Sequence, residues 1–201
     1  MNFRKFPKIP RLNREVIVTE KIDGTNASIF IQRRELVDSK VLDEGSAPFF
    51  SCEFDGNSYI MLAGSRTRWV SAGNDNFGFG RWVSDNRDEL INLGEGHHFG
   101  EWWGKGIQRG YGLDEKRFSL FNATRWGESR PACCHVVPVL ATGYTNMNAI
   151  TLNAIDLLKE YGSVAAPGFM EPEGVIAYHT AAKSYFKVTC EKDNEWKGKA
   201  S

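Results

Sequence analysis

The stretch Glu20-Lys21-Ile22-Asp23-Gly24 places a lysine between a strand pattern and a turn signal. Residues 15–22 and 27–32 are both rich in β-branched side chains, so they are predicted to be adjacent strands that meet at a tight corner. A lysine at the end of a strand is held rigidly, and its amine becomes a nucleophile once it has lost its proton. Gly24 has no side chain, which lets its backbone approach a ligand closely. Taken alone, the stretch favours an exposed lysine beside a hairpin turn.

Further short motifs follow the lysine in a defined order. They are Ser65-Arg66, Phe99-Gly100-Glu101, Phe118-Ser119-Leu120-Phe121, Pro172-Glu173-Gly174-Val175-Ile176 and Tyr185-Phe186-Lys187-Val188. In order and approximate spacing, the set resembles the nucleotidyltransferase motifs of the ATP-dependent ligase superfamily, which also includes the messenger-RNA capping guanylyltransferases. The match spans Glu20 to about Lys187, and residues 21–26 look most like the RNA ligase branch.

The resemblance implies a catalytic set of four residues. Lys21 attacks the α-phosphorus of ATP, expels pyrophosphate and carries AMP as a phosphoramidate. Glu173 helps to place a divalent metal, Mg²⁺ or Mn²⁺, near the α-phosphate. Asp23 orients the amine or binds a metal-linked water, and Lys187 binds phosphate oxygens and favours the neutral form of the lysine amine.

The resemblance also implies a set of ATP-binding residues, to which Lys187 belongs as well. Glu101 binds the ribose hydroxyls, and Phe121 stacks on the purine. Arg66 binds phosphate oxygens, and Glu20 is assigned to the same ATP site. Asn26 either donates to the adenylate phosphate or to the strand being joined, or it caps the turn.

The predicted fold class is α+β, with mostly antiparallel sheets and a few flanking helices. The resemblance makes this an ATP-grasp-like nucleotidyltransferase domain of the ligase kind. One helix is predicted from the spacing of Phe79, Trp82, Val83, Leu90 and Leu93, with Gly94 as its stop. A second helix is predicted from Ile150 to Tyr161, ended by Gly162. Further strands are predicted over residues 59–63, 98–103, 117–122, 174–178 and 185–189.

The chain departs from the family pattern in two places. Many relatives carry a second lysine two residues after the position of Lys187, and here that position is Thr189. Few residues follow, so residues 1–201 are expected to be one nucleotidyltransferase domain without a C-terminal OB-fold domain. A basic arm, residues 4–14, is a candidate substitute for the missing phosphate contacts, and a protein partner is the other candidate.

These features favour an ATP-dependent RNA ligase that acts on the 5′-phosphate and 3′-hydroxyl ends of RNA, as in RNA repair. The alternatives are a non-catalytic module that binds nucleotides or strand ends, a compact DNA ligase, and a GTP-using capping enzyme. The 25 basic and 25 acidic residues cancel, which disfavours a generic single-strand-binding protein that relies on a positive surface. Without a signal peptide or a spanning segment, the protein is expected to be soluble and cytoplasmic, away from membranes.

Overall fold

The structure is a computed structural model that describes residues 3–37, 49–144 and 146–191. The chain divides into two compact units. The first unit combines the residues up to Ile22 with those from Pro138 onward, and the second unit is Asp23–Val137. The interpretation of residues 1–201 as one nucleotidyltransferase domain stays a prediction.

Strands outnumber helices in the described part of the chain. The strands are β1 (Val16–Lys21), β2 (Thr25–Arg33), β3 (Phe49–Phe54), β4 (Asn57–Ser65), β5 (Trp69–Val70), β6 (Gly96–Gly104), β7 (Lys116–Leu120), β8 (Cys134–Val136), β9 (Val139–Gly143), β10 (Gly174–His179) and β11 (Ser184–Thr189). The helices are α1 (Phe79–Asp85), α2 (Arg87–Leu90), α3 (Ala123–Trp126) and α4 (Met147–Tyr161), with 3-10 turns at Arg34–Leu36 and Ile91–Leu93. The mixed, mostly antiparallel architecture predicted from the sequence is confirmed.

The first unit is a four-stranded antiparallel sheet in the order β11-β10-β1-β9, covered on one face by α4. The sequence Val-Ile-Val-Thr-Glu-Lys of β1 alternates between buried and half-buried residues. Because strand side chains alternate between faces, Val16, Val18 and Glu20 point toward α4, and Lys21 lies on the opposite face. Burial of the apolar face against α4 therefore decides which face the lysine occupies.

The second unit is a larger sheet in the order β3-β4-β2-β6-β7-β8, with β5 paired to β4. Its pairs are antiparallel except for β7–β8. Ala27, Ile29 and Ile31 of β2 point into a core that also contains residues of α1 and α2. The side chains on the other face of the sheet, called here the outer face, include Asn26 and Ser28 of β2. No helix in the described ranges is long and apolar enough to cross a bilayer.

The prediction that β1 and β2 pair as adjacent strands is wrong. β1 pairs with β9 and β10, whereas β2 pairs with β4 and β6. The segment between them does not form a hairpin because it packs against the second unit's own sheet. A Cβ added to Gly24 would lie 2.6 Å from the carbonyl oxygen of Trp102 and 2.7 Å from Cβ of Trp103. Gly24 thus permits a close approach of backbone to β6.

The helix predicted from Phe79 to Leu93 is interrupted in the structure. α1 ends at Asp85, α2 begins at Arg87, and a 3-10 turn completes the segment before Gly94. At the break, the side chain of Asn86 donates a hydrogen bond to the carbonyl of Trp82 at 2.8 Å. This local bond competes with regular helix formation, which the spacing of apolar residues does not reveal. The second predicted helix is confirmed as α4, with Gly162 after its last residue.

We expect the second unit to lose stability as the pH falls below about 6.5, the ordinary pKa of histidine. Burial lowers the pKa of His98 and of His135 in the folded protein. Below pH 6.5 the unfolded chain therefore binds protons that the folded chain does not. The contribution of each histidine to the free energy of unfolding is complete above pH 6.5. It is lost as the pH falls toward the lowered pKa of the folded protein, by at most about 1.4 kcal/mol per pH unit.

Urea unfolding of the protein and of His98→Gln, between pH 7.5 and 5.5, measures this effect. The free energy of unfolding should fall with pH, and less steeply in the variant. Equal slopes for the two proteins would contradict the assignment to His98.

Candidate functional site

Lys21 and Glu173 form an ion pair in the first unit. The pairing of β1 with β10 sets Lys21 opposite Gly174, which directly follows Glu173. The Lys21 amine contacts Oε2 of Glu173, and the two side chains are 23% and 19% exposed. The nucleophile and the metal-binding carboxylate of the predicted set therefore lie together, although 151 residues separate them in the chain.

Glu173 has the properties of a ligand for a hard cation. Its Oε2 is buried, and it contacts the Lys21 amine as an ion pair. A buried carboxylate oxygen of this kind fits Mg²⁺ or Mn²⁺, which a protein often binds through one or two carboxylates together with substrate phosphates and water. No group of three or more His, Cys, Asp or Glu side chains in the described ranges is arranged to hold a metal by itself.

Lys187 lies on the same face of the first unit's sheet as Lys21. Its partner in the sheet register is Ile176, which in turn pairs with Thr19 of β1. Thr19 and Lys21 are two residues apart, so their side chains share a face. Thr189 aligns through Gly174 with Lys21 itself, so the position at which the family pattern predicts a second lysine is in the same row as Lys21.

Glu20 is a buried carboxylate on the other face of β1. It is 1% exposed, and its oxygens accept hydrogen bonds from the Ser163 hydroxyl at 2.6 Å and from the backbone N–H groups of Val164 and Ala165 at 2.9 Å each. Burial raises the pKa of Glu20, although the three hydrogen bonds act in the opposite direction. Its role in ATP binding stays a prediction. What the contacts establish is that Glu20 fixes the end of β1 to residues 163–165.

We expect Glu20→Ala to lower the free energy of unfolding by about 2–4 kcal/mol, because three hydrogen-bond donors lose their acceptor in a buried place. Glu20→Gln should cost less, since its amide oxygen still accepts. The exposed Glu160 of α4 provides the matched control, and Glu160→Ala should change the stability by less than about 0.5 kcal/mol. Urea denaturation measures all three, and a Glu20→Ala protein as stable as the control would show that these contacts contribute nothing.

In the second unit, Glu101 and Asn26 are neighbours on the outer face. They are register partners of β6 and β2, and the Asn26 amide donates a hydrogen bond to Oε2 of Glu101 at 3.1 Å. Phe121 continues the β6–β7 pairing by one residue, because its N–H donates to the carbonyl of Phe99 at 3.0 Å. The Phe121 ring is 40% exposed. Three of the predicted ATP-binding residues thus belong to one region of this unit.

Asp23 has two partners that the sequence did not indicate. Its carboxylate accepts from Nε of Arg109 at 3.1 Å, and its backbone N–H donates to the Tyr111 hydroxyl at 2.8 Å. Arg109 and Tyr111 belong to the loop between β6 and β7, in which Gly106, Gly110 and Gly112 have positive φ, as does Gly104 at the end of β6. The high density of glycines around a basic and an aromatic residue is the feature of the sequence that could have indicated Arg109 and Tyr111.

Arg66 follows β4 in the second unit and is exposed. The basic arm belongs to the first unit, where residues 3–13 are exposed and His179 donates to the carbonyl of Leu12 at 2.7 Å. The roles predicted for Arg66 and for the arm stay predictions. Lys21, Glu173, Lys187 and Glu20 belong to the first unit, and Asp23, Asn26, Arg66, Glu101 and Phe121 to the second.

The described chain combines a mostly antiparallel α+β fold with a lysine–glutamate pair at the end of a strand, and comparison with protein families assigns it to a family. The RNA ligase family model matches residues 14–189. The chain therefore belongs to the RNA ligase family. A comparison with curated protein sequences finds no match.

Solved structures of Naegleria gruberi RNA ligase resemble the chain in fold. A glutamate variant solved with ATP and manganese has a TM-score of 0.57 at 15% identity, covering 90% of this chain and 51% of that one. A lysine variant solved with AMP and manganese has a TM-score of 0.52 at 16% identity, covering 89% and 50%. Another lysine variant, solved without ligand, has a TM-score of 0.53 at 15% identity, covering 88% and 50%. The present chain spans about half the length of these proteins.

Proposed function

We propose that this chain is an ATP-dependent RNA ligase that works through a lysyl-AMP intermediate on Lys21. The observation that carries the proposal is the ion pair between Lys21 and Glu173. An amine held against a buried carboxylate at the end of a rigid strand satisfies the two needs of a covalent nucleotidyltransferase, which are a positioned nucleophile and a metal ligand beside it. Membership of the RNA ligase family and the ATP, AMP and manganese in the related structures support the same conclusion.

The reaction has three balanced steps. The neutral amine of Lys21 forms a bond to the α-phosphorus of ATP, the bond to the β-phosphate oxygen breaks, and pyrophosphate leaves while the amine loses a proton. An RNA 5′-phosphate oxygen then displaces the lysine, which recovers its proton, and a 5′-adenylylated RNA forms. Finally the 3′-hydroxyl of a second end attacks the activated phosphate, loses its proton and releases AMP.

The chain's own residues supply positioning and charge for these steps. Glu173 would hold Mg²⁺ or Mn²⁺, which when bound would supply positive charge to neutralise the phosphates. Lys187, on the same face as Lys21, binds phosphate oxygens. In the second unit, Glu101 receives the ribose hydroxyls, Phe121 stacks on adenine, and Asn26 donates to the adenylate. We also propose that the fold is ATP-grasp-like and that the protein acts in the cytoplasm.

One observation favours a second candidate, a module that binds nucleotides or RNA ends without turnover. Thr189 aligns with Lys21 across the sheet, where many relatives have a second lysine. A threonine hydroxyl can accept and donate hydrogen bonds but provides no positive charge for pyrophosphate. A protein partner or the basic arm could provide that charge instead.

The test is incubation with α-labelled ATP and a divalent metal, followed by denaturing electrophoresis and addition of a 5′-phosphorylated RNA. A labelled protein band that transfers its label to RNA, and then joins RNA ends, supports the ligase. Competition by GTP and replacement of RNA by DNA distinguish a capping enzyme and a DNA ligase. A protein that binds ATP and RNA but never becomes labelled, and whose mass shows no AMP already bound, is the non-catalytic module.

A further inference from the structure

The outer face of the second unit carries an aromatic pocket whose lining includes one residue of the predicted ATP site, Arg66. It is an open cavity of about 310 Å³, lined by residues 64–69 together with Ser28, His97 and Phe99. Phe99 and Glu101 are two residues apart on β6, so they share the outer face at a spacing of about 7 Å. The pocket therefore extends along the sheet from the residue predicted to bind the ribose.

Three rings line the pocket as a continuous stack. Trp69 stacks on His97 with ring centres 5.8 Å apart, and His97 stacks on Phe99 at 4.1 Å. Phe30 contacts the edge of His97 at 5.8 Å and supports the stack from the sheet. Phe99 ends the stack and is 54% exposed. An exposed ring at the end of a supported stack is a platform on which another planar group can lie.

The packing around Gly64 shows that the pocket is a built feature of the sheet. A Cβ at Gly64 would lie 2.6 Å from the hydroxyl oxygen of Ser28 and 3.2 Å from the ring of Trp69. The ring of Trp69 therefore packs close to the backbone at Gly64, the residue of β4 that is its antiparallel register partner. A side chain at residue 64 would displace the ring and close the space beneath it.

The charges at the pocket are positive. Its lining contains Arg66 and Arg68 and no aspartate or glutamate. The Arg68 guanidinium donates to the carbonyl of Asn74 at 3.1 Å and so stabilises the loop that follows β5. Arg66 is exposed and forms no ion pair with any residue of the described ranges. Stacked rings beside an arginine are the combination that binds a nucleic-acid base together with its phosphate.

We propose that the aromatic pocket binds a base of the RNA strand at the end that is being joined. The inference rests on the proposed function, which assigns adenine of AMP to Phe121 and the ribose to Glu101, so that the pocket is left for the neighbouring nucleotide. The base stacks on Phe99, and Arg66 lies between the RNA phosphate and the adenylate. Because every base has a flat face, this contact holds the strand end with little dependence on its sequence.

The test measures binding of a fluorescent, single-stranded RNA without ATP, so that no chemical step is needed. Phe99→Ala should raise the dissociation constant about 5- to 150-fold, which is the usual cost of losing one stacked base. Phe99→Tyr keeps the ring and should bind like the unchanged protein. The matched control is Phe54→Ala, since Phe54 is an exposed ring of the same unit on β3, 43% exposed, and its loss should have no effect.

Comparing 5′-phosphorylated RNA with 5′-hydroxyl RNA identifies which end occupies the pocket. A preference for the 5′-phosphate that disappears in Phe99→Ala places the phosphorylated end there. Equal binding of both RNAs, with the same loss in Phe99→Ala, places the 3′-hydroxyl strand there.

Two results would overturn the proposal. One is an unchanged RNA affinity in Phe99→Ala. The other is that Phe99→Ala changes only the ATP concentration needed for labelling, which rises while the RNA affinity stays the same. That result would make the pocket the adenine site. Failure of the ligase proposal is separate, since it appears as absent labelling in a protein whose RNA binding still depends on Phe99.

Discussion

Lys21→Ala abolishes covalent labelling by α-labelled ATP if Lys21 is the residue that carries AMP. An alanine offers no nucleophile, so no phosphoramidate forms at this position, and loss of a nucleophile typically lowers the rate by up to about a millionfold. The unchanged protein should give a labelled band whose bond is stable to alkali and labile to acid. Joining of 5′-phosphorylated RNA should disappear in the same variant.

The control for Lys21→Ala is a lysine of the same unit that is remote from the pair. Lys159 lies on α4 and is exposed, and Lys159→Ala should label at the normal rate. Removal of Lys21 also takes the ion partner from Glu173, so thermal unfolding of the variant must show that it is still folded. A folded Lys21→Ala protein that labels like Lys159→Ala would exclude Lys21 as the attachment site.

Sealing of pre-adenylylated RNA provides a second measurement on the Lys21→Ala variant. RNA that already carries 5′-AMP needs no lysyl intermediate, so the third step does not require the nucleophile. Lys21→Ala should therefore retain measurable sealing of pre-adenylylated RNA, provided that its other contacts to the nucleotide are intact. Loss of this reaction together with labelling would indicate a structural defect.

Local patterns in the sequence predicted two main elements of the first unit, β1 and α4. The β-branched residues of the segment 15–22 predicted β1, and the spacing of apolar residues predicted α4 with its end at Gly162. The order of short motifs assigned both Lys21 and Glu173 to one site, and the structure brings their side chains into contact. The two elements were predicted correctly because each depends on neighbours in the chain, whereas the catalytic roles of Lys21 and Glu173 stay predictions.

The contacts that could not be predicted join distant parts of the chain. Glu20 and Ser163 are 143 residues apart, and nothing in either segment indicates the other. The wrong pairing of β1 with β2 has the same origin, because the turn signal at Asp23-Gly24 specifies a change of direction but not which strands become neighbours. The aromatic pocket likewise requires the register of β2, β4 and β6, which aligns Ser28 with both Gly64 and Phe99.

Glu173→Gln is the substitution with the second largest expected effect, a fall in the labelling rate of about 100- to 1,000-fold. The amide keeps the size of the side chain but has no charge to hold Mg²⁺ or Mn²⁺ or to pair with the Lys21 amine. Because the loss concerns the metal, a higher Mn²⁺ concentration should recover part of the rate, and the metal concentration for half-maximal labelling should rise at least 10-fold. Glu171→Gln, two residues earlier and exposed to solvent, is the matched control and should label normally. Titration of labelling with each metal measures both quantities. A slow variant whose metal requirement is unchanged would assign Glu173 to positioning of the lysine instead, and a variant with an unchanged rate would remove Glu173 from the site.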